Sequence, residues 1–557
     1  MPSWPTTAFG LLKKEQMKRT PLALCALLAT TSSNPGANYS TVLPALEEDI
    51  RREMTDWNIG GIAVALVDDQ RVVYAAGFGE AKRDSVFRVG SISKLFNAIA
   101  VMQQVEAGKL DLDAPLPADV LPLNPFPEAP AVTLRQILCH RSGLQRESPV
   151  GGYFDDSQPG LKATVASLRG CVLATLPGEK TRYSNVAPSI AGRLVERASG
   201  QTFENYQRQR VLGPLNMTNS AWTLARVARK RIVRSHMRVA DGHGGWTRRP
   251  APLFDLGTLP AGNLFSTVDD LARFASALLA DGRGLVKPET LHEMWQPQLT
   301  KDEAGFGLGF IVGKFREHRT ISHNGAVYGY SSLLVLLPEE KLAAVVLGNE
   351  DVVNGRIHHI GDTALSLLLE AKLGEKPPLP AKLSPPRDLA RFAGDYESQS
   401  YWAHLVVRDG QFGGEISGQP IRFVPAGKLS FTAYSRIDDV LPAAFEQDVT
   451  GAISGFKYGP IQHFTRVPSK PRALPPEWEP YLGSYGPAFI PLVVSERHGH
   501  LYAMTENMVD YRLTPVNRHV CALPPGMYAD EQVVFLIEAN GRPQCVNFAN
   551  MLLCRRK

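Results

Sequence analysis

Four short apolar runs, placed far apart, constrain this chain most. Ile62-Ala63-Val64-Ala65-Leu66-Val67 and Arg71-Val72-Val73-Tyr74 lie near its start. Residues 332–337 and 342–347, split by the turn Pro338-Glu339-Glu340-Lys341, lie far downstream. Runs of this length bounded by turn formers read as strands. The two distant pairs are expected to join in one sheet. A helical pattern through Leu43, Leu46, Ile50 and Met54 precedes them over residues 41–56. Helical segments are expected to fill most of residues 90–300. Strands at both ends with helices between define an α+β domain: one antiparallel sheet with flanking helices, and a helical lobe. The site is expected where the sheet meets that lobe.

The chain changes character after residue 373. Residues 374–387 (Gly-Glu-Lys-Pro-Pro-Leu-Pro-Ala-Lys-Leu-Ser-Pro-Pro-Arg) form a Pro-rich, semi-rigid linker. Beyond it come short β-rich runs with frequent turns. Phe392-Ala393-Gly394-Asp395-Tyr396 returns as Tyr481-Leu482-Gly483-Ser484-Tyr485, offset by 89 residues. A second proline cluster (Pro468, Pro471, Pro475, Pro476) separates the copies. Each copy is long enough for a small antiparallel β-barrel, which removes its edge strands by closing. The expected organisation is a leader at 1–36, an α+β domain at 37–373, the linker at 374–387, and barrel-like modules at 388–470 and 471–557.

A length of 557 residues leaves room for roughly two to four domains. Hydrophobic content of 44% and charged content of 21% are ordinary for a soluble globular chain. A net charge of +5 is too small at this size to argue for nucleic acid. The locally basic stretch 226–238 reads as a solvated face. No apolar stretch is long enough for a membrane-spanning helix. Lys13-Lys14-Glu15-Gln16-Met17-Lys18-Arg19 precedes a short apolar core, residues 21–29, and then a polar Thr/Ser/Asn stretch. That order is the one a secretory signal has, with Met17 as an alternative start. A periplasmic or secreted location follows, with a cytoplasmic enzyme as the alternative. Six cysteines in so long a chain do not make a disulfide framework. Neither a CxxC nor a His/Cys cluster with metal spacing occurs, so no metal and no organic cofactor are expected. His498-Gly499-His500 reads as a hairpin turn and His358-His359 as helix surface.

Ser91-Ile92-Ser93-Lys94 follows a turn at Gly90 and opens a long apolar run, residues 95–102, that reads as a buried helix. Residues three apart on a helix share a face, so Ser91 and Lys94 point the same way. A hydroxyl beside a buried, neutral amine makes an acyl-accepting nucleophile. The helix N-terminus adds a positive end for the oxyanion. A capping Ser with a solvated Lys would give the same spacing, so the decision comes from downstream. Tyr183-Ser184-Asn185 follows Pro177-Gly178 on a loop entering a helix. A phenol and an amide two residues apart can face one cleft: Tyr183 to share a proton with Lys94, Asn185 to hold Lys94 and a substrate carbonyl. His323-Asn324-Gly325 stands at the start of the downstream hairpin. Gly325 permits close backbone approach by a substrate. The Ala326 amide can then join the Ser91 amide as an oxyanion hole.

With SxxK, YxN and HxG in this order, the chain resembles the penicillin-recognising serine hydrolases: class C β-lactamases, DD-peptidases, family VIII esterases and D-aminopeptidases. Ser91 and Tyr183 stand 92 residues apart, and Tyr183 and His323 140 apart, spacings that suit this group. The resemblance covers roughly residues 45–365. It includes 133–144, Gly213-Pro214-Leu215-Asn216-Met217, and Pro260-Ala261-Gly262-Asn263-Leu264. It implies a β-lactamase/DD-peptidase-like fold and an acyl-enzyme mechanism. Ser91, Lys94 and Tyr183 are the catalytic set; Asn185, His323, Asn324 and Gly325 bind or position substrate. One departure matters. β-Lactamases carry Lys where this chain has His323, and a mostly neutral imidazole offers less charge to a β-lactam carboxylate. The two C-terminal modules resemble the three-domain D-aminopeptidases. Amide or short-peptide hydrolysis of that kind is the first expectation, with a loop of the last module reaching the cleft. A carboxylesterase, a weak β-lactamase and a non-catalytic scaffold are the alternatives. The expected partners are small esters, amides or short peptides, and an oligomer is compatible.

Overall fold

The computed structural model describes residues 37–126, 128–240, 245–377, 386, 388–438, 440–468, 472–539 and 541–555. The leader and most of the Pro-rich linker lie outside the described residues, as does Pro471 of the second proline cluster.

The distant apolar runs do meet. Gly61–Asp68 pairs antiparallel with both Arg71–Gly79 and Leu342–Gly348, placing Val64 opposite Val346. The sheet then continues through Tyr330–Leu337, His318–Val327, Ile311–Phe315 and Gly305–Phe306, seven strands in all. Its central runs lack polar alternation because both faces are covered. Val64, Leu66, Val346 and Leu333 face one core, with Leu46 and Ile50 of helix Leu43–Trp57 and Ile357 and Leu365 of helix Asn354–Leu373. Ala63, Ala65, Val345 and Leu334 face a second core with helices Ser93–Glu106 and Val268–Leu279. Successive side chains on a strand alternate faces, so a strand buried on both sides reads as continuous apolar sequence.

The stretch 90–300 is less helical than its pattern suggests. Its longer helices are Ser93–Glu106, Val186–Ser199 and Val268–Leu279. Much of the rest is short turns, and His236–Ala240 pairs with Trp246–Pro250 as an added hairpin. The basic stretch is only partly solvated: Arg226 pairs with Glu204 at 2.7 Å, and Arg238 is buried and stacks on Trp246. His358 and His359 are not helix surface. His359 sits between Asp49 (3.6 Å) and Glu53 (3.8 Å), and His358 lies 3.3 Å from the Asn324 amide.

After the linker, eight strands from Gly394–Glu397 to Gln462–Arg466 close into a barrel. Phe392, Phe412, Phe423, Phe431, Phe445 and Phe456 fill it with packed rings. The second copy remains open. It forms one four-stranded and one five-stranded sheet, joined in part by a bridge between Tyr485 and Arg555. The repeat has a physical basis. Tyr396 Oη donates to Phe392 O at 2.7 Å, and Tyr485 Oη to Tyr481 O at 2.8 Å. An arginine then lies over each tyrosine ring, Arg466 in the first copy and Arg555 in the second. Each also donates to the carbonyl before the glycine, at Ala393 and Leu482. His498-Gly499-His500 is the hairpin turn between Leu492–Arg497 and His500–Met504. Cys545 and Cys554, opposite one another on the last two strands, are disulfide-bonded; Cys139, Cys171 and Cys521 are buried and free.

Candidate active site

Ser91 lies in a 3₁₀ turn, Gly90–Ile92, that runs into helix Ser93–Glu106. Gly90 takes a positive φ of 53°, and a Cβ there would stand 2.8 Å from the Ala326 amide nitrogen. The turn therefore presses directly against strand His318–Val327. Gly325 completes the contact from the other side. A Cβ on it would meet Val89 O at 2.1 Å and Ser91 N at 3.0 Å. The close approach that Gly325 permits is thus that of the Ser91 turn, not of a substrate.

Lys94 is buried, and its Nζ lies 2.9 Å from Ser91 Oγ, 2.8 Å from Asn185 Oδ1 and 2.8 Å from Ala261 O. Burial, and then the Arg146 charge, hold its pKa well below the ordinary lysine value. A neutral amine has two N–H groups and one lone pair. Donation to Asn185 and Ala261 uses both N–H groups and leaves the lone pair for the Ser91 hydroxyl. Asn185 is itself oriented: its Nδ2 donates to Glu147 Oε1 at 2.5 Å, which turns Oδ1 toward Lys94. Burial raises the Glu147 pKa to about 6, against the opposing pull of Arg146 and Asn185.

Tyr183 precedes helix Val186–Ser199 and puts its ring 4.9 Å from Lys94 Nζ. Its hydroxyl is buried, has Ser91 as a polar neighbour, and makes no hydrogen bond of normal geometry among the described residues. Burial pushes its pKa up, so the phenol keeps its proton. His323 is buried behind it, ring centroids 6.3 Å apart. Burial and Lys94 lower the His323 pKa to about 3, so the imidazole is neutral. Asn324 is turned away. It lies against His358 and, like His323 and Gly325, does not line the pocket.

The pocket over Ser91 is lined by Tyr183, Asn185 and Ala326, by Arg146, and by Asn354, which donates to Gly325 O at 2.9 Å. Both C-terminal modules reach it: Ile437 and Asp438 from the closed barrel; Ile490, Glu506, Asn507 and Met527 from the open one. The last module also grips Arg146 and Arg182, the residues just before Glu147 and Tyr183. Glu531 Oε1 accepts from Arg146 N at 3.0 Å and from Arg182 Nη2 at 2.5 Å, and Asp530 lies 3.2 Å from Arg182. Tyr528 and Glu506 flank Arg146 on its far side. Arg146, Glu147 and Ala261 were not singled out from sequence. Their signal was adjacency: the first two follow the family-like segment 133–144, and Ala261 lies in Pro260-Ala261-Gly262.

Residues 46–365 match the β-lactamase family. A β-lactamase-like protein of Homo sapiens is 27% identical over 72% of this chain and 80% of its own length. Penicillin-binding protein 4 of Amycolatopsis lactamdurans is 28% identical over 62% of this chain and 95% of its own. The solved octameric penicillin-binding protein homologue from Pyrococcus abyssi superposes with a TM-score of 0.55 at 24% identity, over 76% of this chain and all of that one. The chain belongs to the β-lactamase family, the β-lactamase/penicillin-binding-protein-like serine hydrolases.

Proposed function

We propose that this protein hydrolyses amides or short peptides with a free amino group, in the manner of a D-aminopeptidase, through an acyl-enzyme on Ser91. The observation that carries the catalytic part is the threefold environment of Lys94 Nζ. Lys94 takes the Ser91 proton as Oγ attacks the carbonyl carbon. The amides of Ser91 and Ala326 hold the oxyanion. Collapse expels the amine, which takes a proton from Tyr183; Tyr183 recovers one from the Lys94 ammonium. Water then enters by the reverse route and releases the acid. Asn185 keeps Lys94 in register, and His323 packs behind Tyr183 as a neutral support.

The substrate part rests on charge. Glu506 and Asp438 line the pocket, with Asp351 beside them. Burial, and then Glu350, push the Asp351 pKa up to about 8, and an incoming ammonium would favour its ionised form. Among the described residues, the lining's only basic side chain, Arg146, is already held between Glu147 and Glu506. Such a pocket suits a substrate amine and disfavours the carboxylate of a β-lactam, as does the neutral His323. The apolar remainder of the lining, including Met237, Val327 and Met527, equally suits the acyl chain of a short ester, so a carboxylesterase is the second reading. Rates on amino-acid p-nitroanilides of both configurations against p-nitrophenyl esters separate the two. The proposal requires the anilides to be turned over and turnover to fall when the substrate amine is acetylated. Ester turnover alone would overturn it.

A further inference from the structure

Tyr183 has to hand a proton to the leaving group, yet its hydroxyl makes no hydrogen bond of normal geometry among the described residues. Its aim therefore comes from its ring and its backbone. One buried side chain that the mechanism does not use, His140, touches both. It follows the short helix Leu134–Leu138 and takes a left-handed φ of 57°. His, Asn and Asp are the side chains that enter that region most readily. The imidazole lies 4.4 Å from the Tyr183 ring, centroid to centroid, and Phe306 stands edge-on to it at 4.9 Å. Two hydrogen bonds then bracket Tyr183 along the chain. His140 O accepts from Arg182 N at 2.6 Å, and His140 Nδ1 accepts from Ser184 N at 3.2 Å.

An acceptor at Nδ1 puts the ring hydrogen on Nε2, so the imidazole is neutral. Burial, and then Lys94, His323 and Arg146, hold the His140 pKa well below the ordinary histidine value. A neutral ring packs on the phenol without drawing it toward the phenolate. Leu or Phe would fill the same space but would offer Ser184 N no acceptor. Asn185 is anchored separately, by its N–H on Arg146 O at 2.7 Å and by its amide on Glu147. Lys94, which Asn185 orients, is thus held independently of His140. We propose that His140 is a positioning residue for Tyr183, fixing the phenol through its ring and through the amides on either side. It serves protonation of the leaving group more than attack by Ser91. The inference rests on the acyl-enzyme reading and deepens it.

The test compares esters of one acid that differ in leaving group. p-Nitrophenolate departs without a proton, whereas ethoxide must take one. kcat/KM is measured on the p-nitrophenyl and ethyl esters of alanine, in both configurations, and of butyrate. The full-length wild type is set beside His140→Asn and His140→Ala, with thermal melts to check folding. Asn keeps the left-handed backbone and an acceptor for Ser184 N but loses the ring; Ala loses both. On the ethyl ester kcat/KM should fall about tenfold in His140→Asn and about 100-fold in His140→Ala, the lower end of what a positioned proton donor contributes. On the p-nitrophenyl ester the loss should stay under about threefold, since that step needs no donor. Where His140→Ala does not fold, His140→Asn alone decides. Equal losses on the two leaving groups, or unchanged ethyl-ester rates in His140→Asn, would overturn the inference and leave the hydrolase reading standing. A wild type that turns over none of these esters would overturn both.

Discussion

At the scale of single residues, the chemistry turns on how Lys94 is kept neutral and aimed. Burial makes its charged form costly, and Asn185 and Ala261 occupy its N–H groups. Lys94→Met should lower kcat/KM by about 10²–10⁴-fold, the usual contribution of a positioned base. Because the Lys94 pKa is depressed, the active neutral amine forms at lower pH than for an ordinary lysine. The rate should rise as pH rises through that depressed value and then level off. A limb that climbs only near the ordinary lysine value of about 10.4 would contradict this. The grouping of Ser91, Lys94, Tyr183 and Asn185 was legible because it lies in spacing, i to i+3 on a helix and i to i+2 on a loop. Glu147 and Ala261 were not, since one touches Asn185 and the other meets Lys94 through a backbone carbonyl, and adjacency to family-like segments does not single out such residues. Asn324 is expected in the cleft and lies instead against His358, on the other face of the strand from His323, which packs near Tyr183.

At the scale of elements, the glycine-tyrosine repeat was visible but its third member was not. Arg466 and Arg555 are separated by the same 89 residues as the two motifs, and each lies over the tyrosine of its copy. A lone arginine at the end of each module carries no signal until the fold brings it back to that module's first strand. The helical content of 90–300 was over-read for a related reason, since short turns share the apolar spacing of helices. Phe456→Ala, at the centre of the barrel's ring stack, should cost about 3–5 kcal/mol, measured by denaturant unfolding. The loop of the last module that carries Glu531 is expected to act as a positioning element. It anchors Arg182, which precedes Tyr183, and the backbone of Arg146, which precedes Glu147. Glu531→Gln should lower kcat by roughly tenfold, about 1.4 kcal/mol, with KM little changed and Glu531→Asp partly restoring it. An equal rise in KM alone would mark Glu531 as part of the binding surface.

At the scale of the whole molecule, the catalytic pocket is a joint product of three modules. The α+β domain supplies Ser91, Tyr183 and Asn185, the closed barrel Ile437 and Asp438, and the open module Glu506 and Met527. The α+β architecture was legible because burial of a sheet on both faces leaves continuous apolar runs. Which loops reach the pocket was not legible, because that depends on how the modules dock. A chain ending at residue 373 should therefore lose most turnover even where it folds, which circular dichroism and a rate assay would separate. The central claim is that Ser91 is an activated nucleophile. Intact-mass spectrometry of the full-length protein after incubation with a fluorophosphonate probe, beside Ser91→Ala, tests it most directly. The account predicts one adduct on the wild type and none on the variant. An unmodified wild type, or an adduct that survives in Ser91→Ala, would contradict it.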